Sequence, residues 1–192
     1  IVYRDRDTII QTPLRELTKE IKNIPSPYLN GHLDEFLAAG MVPLLETNRG
    51  CPFQCTFCAW GAASQNMVRR LSLDNALNEI AYIGKNSTAM NWIVCDANFG
   101  MLKRDVEIAK AIRAVKDDRG TPNKCHAWLA KNVTERNLEI GTILGDMVVP
   151  CMAVQSLDDE VLNNIKRGNI SIETYREYHR KFHEAGSRTY SD

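Results

Sequence analysis

The sequence predicts an α/β fold of parallel βα units, and three observations carry that prediction. Short apolar runs alternate with longer amphipathic segments, the pattern of strands that cross over through helices. Glycine, proline and short polar residues punctuate the boundaries between them. The chain then stops at "SRTYSD" as a further strand begins, so the expected architecture is partial, because parallel βα units must close or be covered on both faces.

The elements follow in order after an N-terminal stretch broken at "IPSPYLNG". "VPLLET" reads as a first strand. "SLDNALNEIAYIGK" has Leu73, Leu77, Ile80, Ala81 and Ile83 at helical spacing, with Ser72 as N-cap. "NWIVCDA" is a second strand. "KRDVEIAKAIRAVKDD" puts Val106, Ile108, Ala109, Ile112 and Val115 largely on one face, and Gly120 with Pro122 ends that helix. "KCHAWLA" is a third strand. "NVTERNLEIGTILGD" is a third helix with Thr134 as cap and Glu135 in its first turn, and "MVVPCMAVQS" is a fourth strand whose regularity Pro150 weakens. "SLDDEVLNNIKRGNISIETYREYHRKFHEAG" is a helical pair or one interrupted helix, broken near Gly168 and stopped at Gly186. The expected division is a lead-in over residues 1–41 and a core over residues 42–192.

Composition narrows the function classes. The 192 residues, 44% hydrophobic and 25% charged, suit one globular domain. Lysine plus arginine number 24 and aspartate plus glutamate 24, so net charge proposes neither nucleic acid nor an anionic membrane as partner. No apolar run approaches the roughly 18 to 20 residues of a membrane span, and "IVYRDRDTII" lacks the basic start and apolar middle of a signal peptide. A cytoplasmic protein is expected, and its six cysteines then read as thiols, metal ligands or core fillers. Cys95, Cys125 and Cys151 each sit in or beside an apolar run, where free cysteine behaves as a small hydrophobe.

The other three form the array "GCPFQCTFC", Cys51, Cys55 and Cys58 in C-x₃-C-x₂-C spacing. Structural zinc wants four closed ligands. No fourth lies nearby, and His126 and the single cysteines are on other predicted strands. Three thiolates on one loop also suit a 4Fe-4S cube with its fourth iron left open to a small molecule. The loop follows the first predicted strand, at the C-terminal edge of a parallel sheet, where such folds build their sites.

Cys51, Cys55 and Cys58, with the aromatic Phe57 directly before the last cysteine, resemble the radical S-adenosylmethionine (radical SAM) superfamily over roughly residues 42–192. "IPSPYLNGHLDEFL", "LLETNRGCPFQCTFCAWG", "CDANFGMLKRDVEIAKAI", "AKNVTERNLEI" and "QSLDDEVLNNIKRGNI" resemble more closely the branch that carries a cobalamin-binding domain ahead of the radical domain. The resemblance implies a partial, TIM-like (β/α) barrel of the radical SAM type, truncated near the fifth strand. It also implies an enzyme in which a 4Fe-4S cluster binds SAM and reductively cleaves it to a deoxyadenosyl radical that abstracts hydrogen from an unactivated carbon. Cobalamin as methyl carrier would come from a domain outside this chain; nothing in residues 1–192 looks like its binding segment, and His32 reads as a helix-start residue. A reductant protein such as flavodoxin or ferredoxin and a small-molecule or peptide substrate complete the expectation. The alternative is a non-catalytic electron-transfer or structural metal module.

The resemblance also implies roles. Cys51, Cys55 and Cys58 would ligate the cluster and Phe57 would lie near the adenine. "CDANFG" departs from the family's glycine-rich, acid-ended segment, and leaves Asp96 or Asn98 to accept the SAM ammonium. Gln155 and Arg167 match positions that reach ribose and carboxylate, the latter because a guanidinium donates two parallel hydrogen bonds. Plainer readings stand beside these: Arg167 as a solvated last-turn cation, Asp96 as a turn cap, His126 as a buried histidine. Lys131 and Asn132 either face the site's mouth or make an ordinary turn. Tyr175, Tyr178 and Phe182 read as a packing face bordered by His179 and His183.

Overall fold

The computed structural model describes residues 1–13, 21–61, 67–132 and 135–191. A hairpin opens the chain, β1 (Val2–Asp5) antiparallel to β2 (Thr8–Gln11), with nearly every residue exposed. A short helix α1 (Asp34–Ala38) follows, and it buries Leu37 in the main core. The sheet begins at β3 (Leu44–Leu45). β4 (Asn48–Arg49) and β5 (Arg69–Arg70) form a separate antiparallel ladder, so the cysteine array lies on an excursion closed at its base.

From there the βα alternation runs as expected: α2 (Leu73–Asn86), β6 (Asn91–Phe99), α3 (Asp105–Arg119), β7 (Lys124–Leu129) and α4 (Glu135–Leu144). The sheet order is β3-β6-β7, and both pairings are parallel. Helices cover one face. Leu45, Trp92, Val94, Cys125, Ala127 and Leu129 from the strands pack with Ile80, Ile83, Ile108, Ile112, Ile140 and Leu144 from the helices. Burying a side chain of this size contributes about 1.5–3 kcal/mol, which holds the layers together. Gly120, at φ 76°, ends α3 in the left-handed conformation that glycine takes without steric cost.

Several expectations change in detail. Ser72 takes the N-cap position of α2 but its hydroxyl makes no capping bond, and the buried stripe is centred on Ala76, Ile80 and Ile83, leaving Ala81 exposed. Thr134 lies outside the described residues. His126 is exposed, because period-two alternation along β7 buries Cys125, Ala127 and Leu129 and turns His126 and Trp128 to the other face. There the two rings meet edge to face, 4.5 Å between centroids. Cys125 is core as expected, and burial pushes its thiol up to about 12.

The expected fourth strand is reduced to one parallel bridge, Cys151 with Tyr190. Pro150 has no N–H to give a ladder; its carbonyl accepts from Tyr190 N–H and Met152 N–H donates to Tyr190 C=O. Tyr190 thus lies where a fifth strand was expected to begin. Between them come α5 (Asp159–Asn164), capped by Asp158, and α6 (Ile172–Glu184), capped by Ser171. This is the helical pair, with Phe182 buried and Tyr175 and Tyr178 packed beside it.

Tyr28 brings the residues before β3 onto the sheet. Its hydroxyl donates to the Leu44 carbonyl at 3.0 Å and accepts from the Leu44 N–H at 2.9 Å, filling a strand-edge position. Tyr28→Phe should therefore lower stability by about 1 kcal/mol, read as a lower urea midpoint at constant slope. An unchanged midpoint would show that water satisfies Leu44 equally well.

Candidate metal centre

The cysteine loop is held at its base by two buried groups from neighbouring elements. Asp96, on β6 and fully buried, accepts from Thr47 N–H (2.7 Å), the Thr47 hydroxyl, Asn48 N–H (3.1 Å) and the Asn48 amide (2.7 Å). Burial raises its carboxyl to about 6 while these hydrogen bonds pull the other way. Arg104, just before α3, donates to the carbonyls of Thr47 and Leu71, one on each arm of the loop. The loop leaves β4 through Gly50 at φ 103°, a backbone conformation suited to glycine.

Within the loop Cys51 and Cys55 are 1% and 2% exposed, and Cys58 is half-buried. Cys58 N–H donates to the Cys55 carbonyl at 3.1 Å and Gly61 N–H to the Cys58 carbonyl at 2.9 Å, winding the end of the array into a tight turn. Gly61 is required by that turn. A Cβ there would stand 2.2 Å from the Cys55 carbonyl oxygen. Thr56 N–H donates to the Ile165 carbonyl at 3.0 Å, which fixes the loop to the segment after α5.

Side chains from β6 and from just past β7 reach the sulfurs. Asn98, buried on β6, donates its amide to Cys51 Sγ at 3.0 Å. Lys131, just past β7, places Nζ 3.7 Å from Cys55 Sγ and 5.7 Å from the Phe53 ring centre. Its own N–H lies 3.5 Å from Asn98 Oδ1. Asn98 and Lys131 thus reach the array, whereas among the described residues the Asp96 carboxylate is hydrogen-bonded by residues 47 and 48. Phe57 is exposed beside Cys58.

The second predicted cluster lies along residues 153–169. Arg167 is 7% exposed, so the solvated-cation reading does not hold. It donates to the Ala153 carbonyl (2.6 Å) and Asn169 Oδ1 (2.8 Å), and the Asn169 amide donates to the carbonyls of Val154 and Ser156. These bonds hold Gln155, exposed and at φ 62°, in a strained left-handed conformation. A groove of about 650 Å³ lined by Ser156, Arg167 and Asn169 lies alongside. Sequence reasoning missed Asn169 and Gly61. Gly61 had a signal, a glycine three residues past the last cysteine; Asn169 had none.

The donor set fits an iron-sulfur cluster. Three thiols share one loop, and hydrogen-bond donors aimed at two of the sulfurs suit ligands that carry negative charge. Among the described residues no three His, Cys, Asp or Glu side chains converge around a single ion. A cube makes a different demand, since each thiolate meets its own iron.

The family model described as the Radical SAM superfamily matches residues 45–191. The chain belongs to the radical SAM superfamily. Among curated relatives, it is 31% identical over its full length to the cobalamin-dependent radical SAM methyltransferase TokK of Streptomyces tokunonensis. It is 34% identical, over 94% of its length, to 2-(S-pantetheinyl)-carbapenam-3-carboxylate methyltransferase of Streptantibioticus cattleyicolor. The chain spans only 29% and 28% of those two relatives. Its fold resembles that of the cobalamin-dependent SAM radical enzyme OxsB, at TM-score 0.63, 19% identity and coverage of 99% of this chain and 28% of that one. It also resembles the radical SAM methyltransferase TsrM of Kitasatospora setae, solved with cobalamin and a [4Fe-4S] cluster, at TM-score 0.62, 15% identity and coverage of 82% and 29%. The described residues are accordingly a partial (β/α) barrel of the radical SAM type.

The contact between Gly61 and Cys55 gives this site a sharp test. Gly61→Ala should lower the iron held per chain after anaerobic reconstitution while the far-ultraviolet circular dichroism stays as in the parent. Full iron loading of that variant would show that the turn relaxes at no cost.

Proposed function

We propose that this chain is the cluster-bearing part of a radical SAM methyltransferase that acts on an unactivated carbon. The observation that supports it most is the loop itself. Cys51, Cys55 and Cys58 are presented at the C-terminal edge of a parallel sheet, two of them buried and donor-supported at sulfur. When bound, the cluster supplies the electron that cleaves the sulfonium of SAM; the protein's task is to bind, orient and exclude water.

The residues divide that task. Cys51, Cys55 and Cys58 hold the cluster, and the exposed ring of Phe57 offers a face for adenine. Asn98 touches a cluster ligand, and its Oδ1 retains a lone pair for the SAM ammonium. Asp96, with both carboxylate oxygens engaged by residues 47 and 48, serves as the support beneath. Arg167 and Asn169 hold the 153–156 segment, which carries the exposed Gln155 as the residue to reach ribose and carboxylate.

The relatives' names support methyl transfer with cobalamin, carried by a part of the protein outside these residues, to a small-molecule substrate. A flavodoxin- or ferredoxin-type protein would supply the electron. The cytoplasm suits this chemistry, since it keeps thiols reduced, as the cluster ligands Cys51, Cys55 and Cys58 must be. Among the described residues no helix is long and apolar enough to cross a membrane.

Anaerobically reconstituted full-length protein should hold close to four irons and four sulfides per chain and, once reduced, consume SAM. Cys55→Ala should lose both properties. Stoichiometric zinc without iron, or an intact cluster that never consumes SAM, would refute the reading.

A further inference from the structure

We propose that Asn98 and Lys131 set the electron affinity of the cluster by donating hydrogen bonds to two of its cysteine sulfurs, an inference that rests on the cluster reading above. One donor lies on β6 and the other just past β7, and each reaches a different sulfur: Asn98 Nδ2 lies 3.0 Å from Cys51 Sγ and Lys131 Nζ 3.7 Å from Cys55 Sγ. The pair is also coupled, since the Lys131 N–H lies 3.5 Å from Asn98 Oδ1. Both sulfurs belong to residues no more than 2% exposed, so the donors act where water does not compete.

The direction of the effect follows from charge. A reduced cluster carries one more negative charge than an oxidised one, and part of it resides on the sulfurs. A donor aimed at sulfur therefore stabilises the reduced form more than the oxidised form, and a cationic donor more than a neutral one. Lys131 is the stronger lever. Its ammonium stands over the Phe53 ring, whose negative face favours a cation and helps hold it near Cys55. Asn98 is the positioning partner, fully buried and engaged at both ends of its amide.

The test is a redox titration of the full-length, anaerobically reconstituted protein. Dithionite donates one electron per cluster, and electron paramagnetic resonance follows the reduced state. Lys131→Met should keep its iron and sulfide and show a midpoint potential shifted to more negative values. Lys131→Arg, which retains a cationic donor, should return the potential towards the parent's. If Lys131→Met loses its cluster, Lys131→Gln takes its place in the comparison, with a potential more negative than the parent's because its amide is a neutral donor; a loaded Lys131→Gln at the parent's potential then overturns the inference. A fully loaded Lys131→Met with the parent's potential overturns the inference, even if its affinity for SAM falls, because the ammonium would then serve the ligand and not the sulfur. A parent protein that takes up no iron overturns the cluster reading itself, which keeps the two failures distinct.

Discussion

A single buried carboxylate, Asp96, decides where the cysteine loop leaves the sheet. Its oxygens gather the N–H groups and side chains of Thr47 and Asn48, just past the end of β3. Burial of a carboxylate is costly unless its lone pairs are met, and here the donors that meet it come from the segment that leads out of β3 into β4. That exchange fastens the loop's first arm to the middle strand. Arg104 closes the arrangement from the other side by gripping the carbonyls of Thr47 and Leu71.

The rest of the site depends on that anchor. With the base fixed, Cys51 and Cys55 face the ends of β6 and β7, and Asn98 and Lys131 meet them there. Thr56 then ties the outer part of the loop to the end of α5, and so to the segment gripped by Arg167 and Asn169. Three consecutive βα units thus contribute to one sheet edge, and the segment after α4 is tied to it through the loop. This is what a parallel sheet offers a cofactor that performs difficult chemistry: groups far apart in sequence converge at the C-terminal ends of the strands.

Much of the fold was legible because helix and strand periods differ. The burial of every second residue along β7 and the stripe along α3 ending at Gly120 are local signals. The first and fourth strands were less legible because tertiary demands overrode them. The first is cut to Leu44–Leu45 as Asp96 draws its continuation into the loop, and Pro150 leaves the fourth with one bridge. In the site, cysteine spacing announced the array. The division of labour between Asp96 and Asn98 did not show, since two polar residues two apart on one face of a strand look alike until the loop places Thr47 and Asn48 beside one and Cys51 beside the other. Arg167 was visible as a cation, but its burial depends on carbonyls and an amide that no periodicity reveals.

The central claim is that three thiolates leave one iron open to SAM, and Mössbauer spectroscopy of protein reconstituted with iron-57 addresses it directly. The account predicts that adding SAM changes the spectrum of one iron in four and leaves the other three as they were. A spectrum in which SAM perturbs no iron would contradict it.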